Sequence, residues 1–140
     1  EDTVVKRFSI SLDEKLLAHF DTMITEKGYT NRSEAIRDLI RDHMVEEQWS
    51  AGDVETAGVV IIVYDHHQME LSQRLADHQH KDYTSVVSTL HIHQDEHNCL
   101  EVIVLRGTAE RIREIANSLI SMRGVKHGRF IETTTGKDFP

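Results

Sequence analysis

At 140 residues the chain has room for one ordinary domain or two small ones, and a hydrophobic fraction of 39% is enough for a core. No apolar run reaches the ~20 residues that cross a bilayer, no signal-peptide pattern opens the sequence, and the single cysteine, Cys99, excludes an internal disulfide and fits a reducing cytoplasm. The formal net charge of -8 argues against nucleic-acid binding as a property of the whole surface, so any such function must rest on a local arrangement of cations.

From Lys6 the sequence reads Lys-Arg-Phe-Ser-Ile-Ser-Leu. Phe8, Ile10 and Leu12 alternate with Arg7, Ser9 and Ser11, and this period of two predicts a strand with one apolar and one polar face. Asp13 suits a helix N-cap. Leu16, Leu17, Phe20, Met23 and Ile24 then repeat with helical period, and Gly28 suits the stop. A second helix is expected from near Asn31, where Asn31 and Glu34 resemble a capping box. It carries Ile36, Leu39, Ile40 and Met44 and runs to about Trp49, after which 50–53 reads as a short linker.

This first part contains a single strand, whose backbone groups have no partner, and a unit so small buries little apolar surface. A second copy solves both problems: two strands pair antiparallel across a two-fold axis, with four helices closing a shared core beneath them. The alternative is that the strand joins a sheet in the second part.

The second part begins near Thr56. Gly58 to Tyr64 reads as a buried strand, and His67 to His80 as a helix with Met69, Leu75 and Ala76 inward. Thr84 to His93 and Cys99 to Leu105 read as strands around a turn. Thr108 to Arg123 reads as an amphipathic helix stopped by Gly124, and Val125 to Thr133 as a last strand. The order βαββαβ is the ferredoxin-like (ACT-like) split βαβ arrangement. The expected class is α+β, with a strand-helix-helix unit over 1–50 and a ferredoxin-like domain over 51–140.

On a paired ribbon Arg7, Ser9 and Ser11 share one face. Such a ribbon fits the major groove, where Arg bonds guanine bidentately and Ser bonds several base edges. Lys6 sits beside them, and Arg32, Arg37 and the first amides of the second helix are candidate phosphate contacts. An ordinary solvated strand face is the plainer reading of the alternation alone. With the capped helices and the run Asn31-Arg-Ser-Glu-Ala-Ile-Arg37, residues of roughly 5–47 resemble the ribbon-helix-helix family, which includes the Arc and MetJ repressors. That resemblance implies DNA binding by the ribbon.

The chain holds ten histidines, seven of them between His66 and His97. His91 and His93 are two apart on a predicted strand and so share a face. Cys99 follows after a short turn on the neighbouring strand, and His80 ends the preceding helix. The spacing is His-x10-His-x-His-x5-Cys. Mixed nitrogen and sulfur donors exclude Mg and Ca and leave Zn, Ni and Cu open. His19, His43 and His127 read as surface residues, and His67, His78 and His97 as incidental neighbours. For Cys99 alone the plain reading is a small buried hydrophobe.

The pattern, with His66 a further x13 upstream, resembles the NikR family of nickel-responsive repressors, which also carry an N-terminal ribbon-helix-helix. The resemblance spans essentially the whole chain. It implies a square-planar Ni(II) site, one per subunit, with His91, His93 and Cys99 from one subunit and His80 from another; His66 belongs to the extended pattern without being counted as a ligand. It implies a homotetramer built from two DNA-binding dimers, a palindromic operator in double-stranded DNA, and control of nickel uptake in the cytoplasm. Glu34 and Asp38 match positions associated in that family with a second cation, often K+. The competing readings are a hydrolytic zinc enzyme, with Asp95 or Glu96 as general base, and a metal buffer without DNA function. A catalytic zinc needs an open position that four protein ligands do not leave, and a buffer leaves the Arg7-Ser11 strand without a use.

Overall fold

The computed structural model describes residues 3–82 and 84–140, with the side chains of 69–72 outside that description. The chain divides into two compact units, Glu1–Arg41 and Asp42–Pro140.

In the first unit, α1 (Glu14–Lys27) starts where the Asp13 side chain accepts a 2.9 Å bond from the Lys15 amide. It ends at Gly28, whose φ of 78° lies in the left-handed region that glycine adopts without steric cost. The next helix, α2 (Arg32–Ala51), begins in this unit and ends in the other. Asn31 caps it by accepting a 2.9 Å bond from the Glu34 amide. A side-chain cap of this kind is worth about 1 kcal/mol. The Glu34 carboxylate points onward to Arg37. Ile24 and Ala35 are this unit's buried apolar residues among those described, while Leu16, Leu39 and Ile40 stay exposed.

The strand expected over 6–12 is not formed in the single chain, where residues 3–13 carry no regular secondary structure. A strand exists through its ladder bonds, and one copy supplies no second ribbon. The alternative partner is also absent, because the sheet of the second unit is built wholly from strands within residues 55–132. Phe8 and Ile10 are consequently 72% and 64% exposed.

The second unit contains β1 (Glu55–Asp65), α3 (Met69–Lys81), β2 (Val86–His93), β3 (Asn98–Thr108), α4 (Ala109–Ile120) and β4 (Val125–Glu132). The four strands lie in the order β2-β3-β1-β4, all antiparallel, which is the ferredoxin-like arrangement the element order implies. Helix α3 starts two residues later than expected. Asp65 takes the intervening turn, its side chain accepting from the His67 amide at 2.9 Å and its carbonyl from the Gln68 amide at 3.1 Å. Leu75 is buried, whereas Ala76 is exposed rather than inward; the expected inward side chain of Met69 lies outside the described residues. Helix α4 is capped by Thr108, which accepts from the Arg111 amide at 3.3 Å.

One sheet face packs on the helices. Val60, Ile62 and Tyr64 of β1 and Ile103 and Leu105 of β3 meet Leu75, Ile112, Ile115 and Leu119 there. The intervening residues point the other way. They make an apolar surface of Val59, Ile61, Val63, Leu100, Val102 and Val104, extended by Leu90, Ile92 and Ile131, which are 57%, 41% and 45% exposed.

The expected linker is not loose. The carbonyls of Gly52 and Val54 accept 3.0 Å bonds from the Glu110 and Ala109 amides, at the N-terminus of α4. These amides have no partner within their own helix.

Candidate metal centre and nucleic-acid interface

The β2–β3 hairpin sets the metal-ligand geometry. Register pairs His93 with Cys99 and His91 with Glu101, so both histidines lie on the helix-covered face with the cysteine. The turn between them is held by Asp95. Its carboxylate accepts from the amides of His97 and Asn98 at 2.8 Å each and from the Asn98 side chain at 2.9 Å. These donors, the Asn98 side chain foremost, lower the Asp95 pKa to about 2. A carboxylate so committed is a poor proton acceptor, which weakens the hydrolase reading.

Cys99 is fully buried, and its Sγ lies 3.4 Å from Nδ1 of His93. Burial raises its pKa, and the negative charges of Glu101, Asp65 and Asp95 raise it further. His66 comes to the same place. Its amide donates to the His97 carbonyl at 2.9 Å, and its ring meets that of His93 edge-on at 5.2 Å. Ligand atoms of His66, His93 and Cys99 all lie within 4.8 Å of one another. The Nδ1 of His66 is buried with no hydrogen-bond partner among the described residues. A buried, unsatisfied imidazole nitrogen is costly unless something binds it. Beside a thiol and a second imidazole, it fits a borderline-soft cation with nitrogen and sulfur donors.

His91 stands next in line, its ring 5.2 Å from that of His93. Its Nδ1 lies 3.4 Å from the Tyr64 hydroxyl, which donates to Glu101 at 3.0 Å. The other Glu101 oxygen accepts from Gln79 at 2.7 Å. A buried carboxylate is thus held by two donors while it orients Tyr64 toward His91. His80 is exposed on α3 and lines a recess with Ala76, Gln79 and residues 86–89 of β2. It is not part of the His66–His93–Cys99 group. Of the four expected ligands, then, the single chain brings His93 and Cys99 into contact, sets His91 beside them and leaves His80 apart.

The ligand spacing leaves His66 outside the four-ligand set and does not point to Tyr64, Gln79 or Glu101. Part of the signal was present. Glu101 is two residues from Cys99 on one strand and so shares its face, and Tyr64 precedes His66 by the same step. His67 takes a different partner, the Glu96 carbonyl at 2.9 Å, and shares a second cluster of ligand atoms with Asp65 and His66.

Lys6, Arg7, Ser9 and Ser11 are all exposed. Arg32 is gripped by both oxygens of Asp21 at 2.9 Å, which lowers the Asp21 pKa and raises that of Arg32. Arg37 pairs with Glu34. Asp38 accepts from the Tyr29 hydroxyl at 2.6 Å and from Arg41 at 3.1 Å, and the Tyr29 bond is the main cause of its lowered pKa. The candidate cation pair Glu34 and Asp38 is therefore occupied by protein partners.

Residues 57–133 match the NikR C terminal nickel binding domain, and residues 6–47 match the ribbon-helix-helix proteins of the copG family. A relative from Geobacter sulfurreducens, provisionally named a nickel-responsive regulator, is 56% identical over 132 residues, covering 94% of this chain and 95% of its own. One from Pyrococcus furiosus, named in the same way, is 53% identical over 134 residues, covering 96% and 97%. An uncharacterized protein of Thermotoga maritima is 12% identical, with a TM-score of 0.51 over 58% of this chain and all of its own, a likeness of fold alone. With a matched DNA-binding segment, a matched nickel-binding segment and relatives alike over nearly its whole length, this chain belongs to the NikR family of nickel-responsive ribbon-helix-helix regulators.

Proposed function

We propose that this protein is a cytoplasmic transcriptional repressor that grips a palindromic operator when nickel is available and thereby limits nickel uptake. The observation that carries the reading is the Cys99–His93 pair beside a buried His66 nitrogen with no hydrogen-bond partner among the described residues, in a chain whose other end is a ribbon-helix-helix. His91, His93 and Cys99 of one subunit and His80 of another would hold one Ni(II) per subunit. The ion supplies there a cation that accepts a square plane of nitrogen and sulfur donors.

Two unpartnered surfaces support assembly into a homotetramer. β2 is an edge strand with no proline or lysine to guard it, and His80 sits at the recess beside it. The apolar sheet face away from the helices needs a cover of its own. Two kinds of contact on one domain, with the pairing the ribbon strand demands, suit a closed tetramer of two DNA-reading dimers. On each ribbon Arg7, Ser9 and Ser11 read bases, while Lys6, Arg32 and Arg37 hold phosphates once Asp21 and Glu34 release the two α2 arginines. The same release would leave Glu34 available to K+, and Asp38 would join it only once Tyr29 and Arg41 also let go.

Switching requires that nickel be held more tightly in the DNA-competent arrangement than in the free one. The direct test is retention of a duplex selected from random DNA by the nickel-loaded protein, measured with and without nickel. Equal retention in both states would reduce the protein to a metal buffer.

A further inference from the structure

The boundary between the two units falls between Arg41 and Asp42, inside a helix that runs unbroken from Arg32 to Ala51. The last turns of α2 thus belong to the nickel-binding unit. Trp49, the chain's single tryptophan, is 2% exposed there. Its ring meets Phe130 of β4 edge-on at 5.3 Å, and its indole N–H donates to the Thr133 carbonyl at 2.9 Å. Arg113 of α4 lies with its guanidinium 5.3 Å from the indole centroid and donates to the Trp49 carbonyl at 3.2 Å. That carbonyl is among the last of its helix, where no intrahelical amide remains to bond it. The segment that follows is fixed as well, through the Gly52 and Val54 carbonyls bonded to α4.

Strand β4 reaches the metal hairpin from its other end. Lys126 donates to the Asn98 side chain at 2.6 Å, in the turn between His93 and Cys99. One strand therefore touches the ligand-bearing turn through Lys126 and the base of α2 through Phe130.

We infer that Trp49 is the positioning residue that couples nickel binding to DNA reading. It clamps the base of α2 to β4 and α4, so α2 itself is the lever. This rests on the nickel-gated regulation proposed above. A slack joint after the helix would let the ribbon move without regard to the sensor, and differential binding in one unit could not bias the other. A clamped helix passes the bias on.

The test uses the full chain and a duplex selected from random DNA by the nickel-loaded wild type. The quantity read is the ratio of DNA dissociation constants without and with nickel. A wild-type ratio of one would sink the regulatory reading itself, whatever Trp49 does. Given a wild-type ratio well above one, Trp49→Ala should lower it at least ~10-fold, the scale of a typical coupling energy, while nickel stoichiometry and absorption stay as in the wild type. Trp49→Phe keeps a ring without the N–H and should fall between the two. Should Trp49→Ala fail to fold, Arg113→Met decides, since Arg113 is partly exposed; it should also lower the ratio. An undiminished ratio in a variant that binds nickel normally overturns the inference. So does wild-type tryptophan emission that becomes open to acrylamide in the nickel-free, nickel-loaded or DNA-bound state, because the clamp would then be released.

Discussion

Nδ1 of His93 lies 3.4 Å from Sγ of Cys99, and the two residues face each other across the β2–β3 hairpin. Of the five intervening residues, 94–97 are the hairpin's turn and Asn98 opens β3, so the His-x5-Cys spacing is what a turn closed by Asp95 looks like in sequence. Removing the Asp95 carboxylate leaves every ligand in place but frees the amides of His97 and Asn98. Asp95→Ala should weaken nickel binding by about tenfold, the low end for a residue that orients ligands. Competition against a chelator measures it, and unchanged affinity would mean that the turn does not set the pair.

Nickel affinity should rise with pH. Burial, with Glu101, Asp65 and Asp95 nearby, raises the Cys99 pKa, so the metal-free thiol holds its proton at neutral pH. The thiolate is the ligand form, and binding must release that proton. Below the thiol's pKa, each unit of pH increase should therefore strengthen binding by about tenfold from this group alone. Calorimetry in buffers of different ionisation enthalpy counts the protons released, and a count of zero at pH 7 would contradict the buried thiol.

His80→Ala and Cys99→Ala should each abolish tight nickel binding, and Cys99→Ala should also abolish sulfur-to-nickel charge-transfer absorption. Mixing the two variants should restore a share of intact sites, each with its histidine from one subunit and its thiolate from another. Absorption that never returns on mixing would place all the ligands in one chain.

Arg7→Ala should weaken specific DNA binding by about 1–3 kcal/mol, the range for a bidentate base contact, and leave nickel affinity as it is. A loss equal on specific and random duplexes would make Arg7 a phosphate contact.

What the sequence disclosed divides along the reach of its signals. The order of elements in the nickel-binding unit was legible because strand alternation and helical period are local, as in β1, where every second residue is buried. Caps at Asp13 and Asn31 follow from side-chain chemistry one turn long, whereas Thr108, read as the first residue of its helix, is the cap of α4. The ribbon pattern stands in the sequence but forms no ladder in the single chain, whose proposed partner is a second copy. His80 stands apart in one chain, where a ligand drawn from another subunit would have to stand. His66 was passed over because its approach to Cys99 depends on the β1–β3 pairing, which sets Tyr64 opposite Cys99. Nothing in the spacing of the ligand motif encodes that register. The bonded segment at 52–54 read as a linker for a similar reason: its partners, Ala109 and Glu110, are far away in sequence.

The lack of regular secondary structure in residues 3–13 of the single chain bears on how little of this protein a cell would need. A ribbon that exists only as a pair would, as a free fragment, depend on two copies meeting in dilute solution. Joined to a sensor that assembles as proposed, each ribbon meets its mate at an effective concentration in the millimolar range, set by the tether and not by the number of molecules present. A regulator present in a few copies could then keep its reading head formed, and its response would follow the supply of nickel instead of its own abundance.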